Sequence, residues 1–363
     1  MIDFAALRAR LPFMGRALLV GVPAGALLDW LDTPIPWMIG PMVAVAILNL
    51  CGIRALSIPY GRQTGQIILG SAVSIYFTPP VVAALGANTG LILLATLSAF
   101  LIGGLGAFVM NKVSGVNPKS AFFASIPGGS MAMANLADKY NAQIPPVAVA
   151  HSLRVSILVI VIPYFMTYGG VPIEILPYKP HLPVDYGVIA IWLLAGGILG
   201  ELSERVGFHN GCFMTPILVG AGLTMYGVEL SLIPGWMADF AQLMFGLILG
   251  ERYERAFFAR HKLFIPFAIV NAFFIILASV GVALAIAWAS DIPLSTLIIA
   301  TAPGGLAEMT IVAQALQVGV PLVIAFHMAR IIVVNIGTQY IYLGAMRVLG
   351  KPPDEEYREP AKD

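Results

Sequence analysis

The chain has 363 residues, of which 59% are hydrophobic and only 11% charged, with a formal net charge of +1. A soluble domain carries about a quarter of charged residues, so this composition excludes an ordinary soluble globular protein. Apolar runs of roughly membrane-spanning length succeed one another along the whole chain, which predicts an all-α polytopic membrane protein.

In chain order, the hydrophobic pattern predicts six elements in a first half, over 17–31, 36–52, 64–87, 90–111, 120–138 and 145–169. Six more follow over 187–200, 211–227, 236–250, 263–290, 295–315 and 321–345. The halves, 1–180 and 185–350, are followed by a polar tail, 351–363, whose proline and charge favour disorder. Arg8, Arg10 and Arg16 before an apolar run, with Ala24-Gly25-Ala26 behind it, imitate a secretory leader. The match of that run to 193–200 assigns it instead to the folded body. Cys51 and Cys212 lie in apolar segments and form neither a disulfide framework nor a metal-ligand spacing.

The halves are copies of one another, a relation that decides how the rest of the sequence is read. Pro127 to Arg154 recurs without a gap as Pro303 to Arg330, an offset of 176. The copies share Pro-Gly-Gly, Met133/Met309, Ala137/Ala313, Pro145/Pro321, Val147/Val323, His151/His327 and Arg154/Arg330. Outside this stretch, Gly21 and Gly25 match Gly196 and Gly200, Pro41 matches Pro216, and Gln66 and Gly70 match Gln242 and Gly246.

Basic residues collect on the cytoplasmic side of membrane proteins. A cytoplasmic N-terminus, with each Pro-Gly-Gly element dipping in and returning on one face, gives about five transmembrane helices and one re-entrant hairpin per half. Of the 20 basic residues, that arrangement places 17 inside and only Lys179 outside, with Arg154 and Arg330 within helices. Full crossings by the Pro-Gly-Gly elements would instead put Arg252, Arg255, Arg260 and Lys262 outside. An odd number of crossings inverts the second repeat, and both termini are expected in the cytoplasm of a bacterial inner (plasma) membrane. Inverted repeats with broken helices at the centre are an architecture of secondary transporters, with substrate held at the repeat interface. A simple kink at a tight helix crossing is the plainer account of one Pro-Gly-Gly, and a weaker account of two matched ones.

The expected site follows from what the breaks carry. After Pro127-Gly128-Gly129 and Pro303-Gly304-Gly305 a half-helix resumes, and a half-helix N-terminus attracts anions through unpaired N–H groups and the helix dipole. Ser130 opens the first of these half-helices, and Ser125 and Thr301 place a hydroxyl two residues before each proline. Arg154 and Arg330 lie nine residues beyond Pro145 and Pro321, about 14 Å into a core about 30 Å thick. Each arginine either holds carbonyls of the broken helix or contacts substrate directly. His151 and His327, on the same helix faces, either pack or relay protons. Glu308 has Ala132 as its counterpart; it could neutralise Arg330, carry a coupling proton or ligate a cation. Gln66 and Gln242 could line the same cavity or bond between helices.

Ser-Ile-Pro-Gly-Gly-Ser-Met-Ala-Met with His-Ser-Leu-Arg-Val, and Thr-Ala-Pro-Gly-Gly-Leu-Ala-Glu-Met with His-Met-Ala-Arg-Ile, resemble the bacterial membrane AbrB family. The resemblance covers essentially the whole chain and implies a duplicated membrane domain. Members carry the labels ammonia monooxygenase or regulator of gene expression. More distantly, the arrangement is similar to carboxylate carriers with two glycine-rich re-entrant loops. An oxygenase needs several His, or His with carboxylates, around one metal. His151, His181, His209, His261 and His327 are each isolated, so neither catalysis nor a cofactor or metal is expected.

The sequence therefore predicts a transporter for a small anionic metabolite, working by alternating access within the lipid bilayer, with H⁺ or Na⁺ coupling and homo-oligomer formation left open. A membrane-embedded regulator of gene expression acting without transport is the alternative. No nucleic-acid partner is expected, because the loops are short and their basic residues are accounted for by topology.

Overall fold

The computed structural model describes residues 4–174, 182–208 and 210–348. The tail 351–363, Lys179, His181 and His209 lie outside the described residues. Within them the chain is entirely helical. The first half holds α1 (Phe4–Trp30), α2 (Pro36–Leu50), α3 (Gly61–Ser74), α4 (Pro79–Ala87), α5 (Thr89–Ser114), α6 (Pro118–Ser125), α7 (Ser130–Lys139) and α8 (Ile144–Tyr168). The second holds α9 (Tyr186–Arg205), α10 (Gly211–Met225), α11 (Gly235–Glu251), α12 (Arg255–Arg260), α13 (Ile265–Trp288), α14 (Leu294–Thr301), α15 (Leu306–Ala315) and α16 (Val320–Val348). Among the described residues, six helices are long and apolar enough to cross a membrane, and they fall in α1, α5, α8, α9, α13 and α16.

Local sequence explains many of the boundaries. Proline occupies the first turn of α2, α6 and α13, where its missing N–H costs nothing. The Asn117 side chain accepts from Ser120 N at 2.7 Å at the start of α6, and Asp185 accepts from Gly187 N at 2.8 Å at the start of α9. The expected single element 64–87 is two helices, α3 and α4, bent by 95°. Pro79 and Pro80 cause this: they cannot continue a helix and push the preceding residue out of the helical region, yet they suit the first turn of a new one. The expected elements 120–138 and 295–315 are likewise broken, at Ile126–Gly129 and at 302–305. Each break turns about its proline through a bond across two residues, Gly128 N to Ile126 O at 2.9 Å and Gly304 N to Ala302 O at 2.8 Å.

The helices form two compact units, and each takes matched segments from both halves. Of the described residues, unit 1 contains 4–87, 162–174, 182–208, 210–257 and 307–322; unit 2 contains 88–161, 258–306 and 323–348. In unit 1 the matched helices pack alike: α1 on α2 as α9 on α10, and α2 on α11 as α10 on α3. Individual residues repeat the correspondence. A Cβ on Gly70 would lie 2.5 Å from Phe213 O, and one on Gly246 would lie 2.5 Å from Met38 O. One on Gly21 would meet Pro41 Cβ at 3.3 Å, and one on Gly196 would meet Pro216 Cγ at 3.2 Å. Small residues at these crossings let backbones approach closely where lipid supplies no hydrophobic drive for association.

In unit 2, α5 packs on α13, with α6 against α5 and α14 against α13. The rings of Phe123, Tyr140 and Tyr342 are tilted or stacked on one another with centroids 4.7–6.1 Å apart, beside Phe122. Tyr342 and Phe123 are fully buried there, which fixes α6 and the end of α7 against α16.

Candidate functional site

Unit 2 brings together Pro127 and Pro303 of the two Pro-Gly-Gly breaks, both arginines and both histidines of the duplicated motif. Pro127 and Pro303 line one small cavity of about 10 Å³, together with Ser98, Ser279, Thr301 and Arg330. That is room for about one water molecule. The two helix breaks therefore line a single small cavity.

The arginines hold the carbonyls that the breaks expose. Arg154 Nη1 donates to Ser125 O at 3.3 Å. Arg330 donates through Nη1 to Ala302 O and through Nη2 to Gly304 O, the latter at 2.6 Å. Nη2 of Arg154 also lies 3.0 Å from His151 Nδ1, and His151 Nε2 lies 3.0 Å from Phe123 O. Because a guanidinium can only donate, Nδ1 is the acceptor, so the ring is neutral and Nε2 carries the proton given to Phe123 O. His327 is bonded differently, through Nδ1 to Val323 O at 2.9 Å within its own helix.

These bonds leave charge and donors over. Arg154 is 3% exposed and Arg330 5%. Among the described residues neither is paired with a carboxylate, and both Nε–H groups lack a hydrogen-bond partner. The charge of Arg154 is also close enough to act on Arg330. Two buried like charges without a counter-ion are costly, and an anion would relieve that cost directly.

Of the hydroxyls, Ser125 Oγ accepts from Asn271 Nδ2 at 3.0 Å, whereas Thr301 Oγ1 lies within bonding reach of Leu297 O at 2.9 Å and Ser279 O at 3.1 Å. Gly129 N, at the start of α7, donates to Asn335 Oδ1 at 3.3 Å. A Cβ on Gly128 would come within 2.7 Å of Met133 Cε, so a larger residue there would require the Met133 side chain to shift. Ser130 opens α7, and Gly305 precedes α15. Asn271 and Asn335 are the site residues that the sequence reading passed over. The available signal was an amide side chain inside a long apolar helix.

The glutamines and Glu308 belong to unit 1. Gln66 Nε2 lies 3.4 Å from Asn210 Oδ1, which also accepts from Arg62 Nη2 at 2.9 Å. Gln242 lines a larger cavity of about 480 Å³ within unit 1. Glu308 is half-buried on α15, and its charge acts on Arg252 at the end of α11. Arg330 has its Nη groups on carbonyls instead. Elsewhere in unit 1, Glu201, Glu204 and Cys212 place ligand atoms within 4.8 Å of one another. Both carboxylates already have partners there, Arg205 Nε at 3.0 Å for Glu201 and Cys212 N at 3.3 Å for Glu204.

Apolar helices, two internal helix breaks and buried guanidiniums define a polytopic helical membrane protein with a duplicated polar centre. Residues 37–343 match the AbrB family, described as transition state regulatory protein AbrB, and the chain belongs to that family. It is similar to a protein of Escherichia coli (strain K12) named as a regulator, AbrB, with 24% identity over 303 residues, covering 82% of this chain and 86% of that one. It is also similar to a Bacillus subtilis (strain 168) protein named YhjN, with 22% identity over 346 residues, covering 87% of this chain and 88% of the relative.

Proposed function

We propose that this protein is a secondary transporter of a small anionic metabolite in a bacterial inner membrane, built from two inverted repeats with one re-entrant Pro-Gly-Gly hairpin each. The observation that carries the reading is the uncompensated pair Arg154 and Arg330, buried in one unit beside both helix breaks. A carboxylate or similar anion would supply the missing charge and accept from the unpartnered Nε–H groups. The 10 Å³ cavity then corresponds to a closed form, and alternating access requires the elements around it to part.

Charge at matched positions supports the inversion. Residues 76–90, around α4, contain no charged side chain, whereas 252–266, around α12, contain Arg252, Glu254, Arg255, Arg260 and Lys262. The positive-inside rule separates such segments to opposite faces. In this proposal both termini are cytoplasmic, Glu308 is the candidate for H⁺ or Na⁺ coupling, and no enzymatic step or cofactor is involved.

The family description and the name of the Escherichia coli relative favour a second reading, a membrane-embedded regulator that works without transport. Uptake of a radiolabelled carboxylate panel into proteoliposomes, with and without imposed H⁺ or Na⁺ gradients, separates the two. Transport predicts saturable uptake by the wild-type protein, with gradient dependence lost in Glu308→Gln. No uptake of any panel member above empty vesicles would overturn the carrier reading.

A further inference from the structure

One end of unit 1 gathers exposed arginines onto a fixed frame, the segment 51–60 between α2 and α3. Ala55 of this segment is fully buried in a cluster with Ala17, Val45 and Leu247. The Asn49 amide holds both of its backbone groups, accepting from Ala55 N at 2.8 Å and donating to Ala55 O at 3.1 Å. Leu56 N donates to Phe13 O of α1 at 3.2 Å, and Ser57 N donates to Glu251 Oε2 of α11 at 2.9 Å. Three helices therefore pin a connection of the kind that is ordinarily mobile.

Arg54 stands beside these anchors. Its Cζ lies 5.4 Å from the centroid of the Phe13 ring, and Arg16 Cζ lies 5.5 Å from the same centroid. The ring attracts each cation through its quadrupole, so one side chain gathers guanidiniums from α1 and from 51–60. Arg255 reaches the same segment, since a Cβ on Gly52 would lie 3.0 Å from its Nη1. All three arginines are exposed. Of the acids near Arg255 in the chain, Glu251 accepts from Ser57 and Glu254 is exposed. Like charges gathered in this way repel, and an anion seated among them relieves the repulsion. Large apolar side chains are exposed next to them. Leu19, one turn after Arg16 and on the same face of α1, is 75% exposed, and Ile53, beside Arg54, is 48% exposed.

We infer that this end of unit 1 is a binding site for an anionic phospholipid. The headgroup phosphate accepts from Arg16, Arg54 and Arg255, and an acyl chain runs along α1 over Leu19. Guanidinium forks match phosphate oxygens in geometry as well as charge. A free phosphate would meet the arginines but leave Leu19 and Ile53 uncovered, whereas a lipid covers all of them. Arg16 also directly precedes the uncharged run 17–28 of α1, the level at which headgroups meet hydrocarbon. The site uses none of the residues of the buried arginine pair. It goes beyond the anion-transport reading and does not depend on it.

Native mass spectrometry of the full-length protein in detergent, titrated with dioleoylphosphatidylglycerol or dioleoylphosphatidylcholine, tests the inference. Expected is an apparent Kd for phosphatidylglycerol about tenfold or more below that for phosphatidylcholine. Glycerol 3-phosphate, which carries the phosphate without acyl chains, should not displace the bound lipid at equal concentration. The double variant Arg16→Gln/Arg54→Gln should reduce the preference by about tenfold or more. Phe13→Leu keeps every charge but removes the ring that gathers them, and should reduce the preference several-fold; it serves where the arginine variant does not fold. Lys112→Gln/Arg347→Gln removes the same charge from unit 2 and should leave the preference unchanged. Equal binding of the two lipids would overturn the inference. So would a preference that survives unchanged in the arginine variant or in Phe13→Leu, or an equal loss in Lys112→Gln/Arg347→Gln. Displacement by glycerol 3-phosphate would identify a site for a soluble anion and overturn it as well.

Discussion

Replacing Arg330 with glutamine should loosen the second helix break more than any other single change at the duplicated motif. The guanidinium is the donor to both Ala302 O and Gly304 O, and those carbonyls flank the turn at Pro303. A buried acceptor stripped of its partner costs about 1–3 kcal/mol, so two cost roughly 2–6 kcal/mol. Two effects offset this: glutamine can still donate one bond, and removing one of two mutually repelling buried charges is favourable. A net loss of about 2–4 kcal/mol follows, or a melting temperature lower by roughly 3–5 °C for a chain of 363 residues. Tryptophan fluorescence during heating of the detergent-solubilised protein reads the shift. Arg330→Lys keeps the charge but loses the paired geometry, and should fall between wild type and glutamine. Arg154→Gln also strips two buried acceptors, Ser125 O and His151 Nδ1, but only the first belongs to a helix break and Ser125 Oγ is also tied by Asn271, so the first break should loosen less than the second does in Arg330→Gln. If Arg330→Gln melts within about a degree of wild type, its bonds do not hold the break and the reasoning fails.

Topology and packing give two further tests. Cysteines placed at Lys139 and at Gln317, in a protein lacking Cys51, should react with an impermeant thiol reagent from opposite faces of the membrane; labelling of both from one face would refute the inversion. Gly70→Val and Gly246→Val should each destabilise unit 1 by about 1–3 kcal/mol or more, since a Cβ would meet a backbone oxygen at 2.5 Å in both cases. Gly104→Val, with nothing within 4 Å of its Cβ, is the control, and melting curves near wild type for all three would contradict the packing described.

The helix breaks and the His-x-x-Arg pairs were legible in the sequence because they occur twice, and a repeated departure from an apolar pattern is hard to assign to chance. Asn271 and Asn335 escaped because their counterparts are Ala95 and Val159, so repetition gives no signal at either. The bend between α3 and α4 was hidden by apolar residues that run straight through Pro79 and Pro80. Hydropathy records solvent preference, whereas a bend depends on backbone sterics. The 480 Å³ cavity was invisible for another reason: segments widely separated in the chain must fold together before it exists.

The two copies have diverged in how their polar groups are satisfied. Gln66 finds an amide on Asn210, at the start of α10. The corresponding partner for Gln242 is Ile35, at the start of α2, in the same left-handed backbone conformation but with no polar atom to offer. Separately, Gln242 Oε1 has no hydrogen-bond partner. In unit 2 the first break is secured by Arg154, by Asn271 on Ser125 and by Asn335 on Gly129, whereas the second is secured by Arg330 on Ala302 and Gly304 and by Thr301 on Ser279. An anion that drew Arg330 toward itself would compete with those two carbonyl bonds, while the first break would keep its asparagine contacts. Substrate binding in this scheme loosens the second break selectively, and one strong donor shared between backbone and ligand couples occupancy to motion.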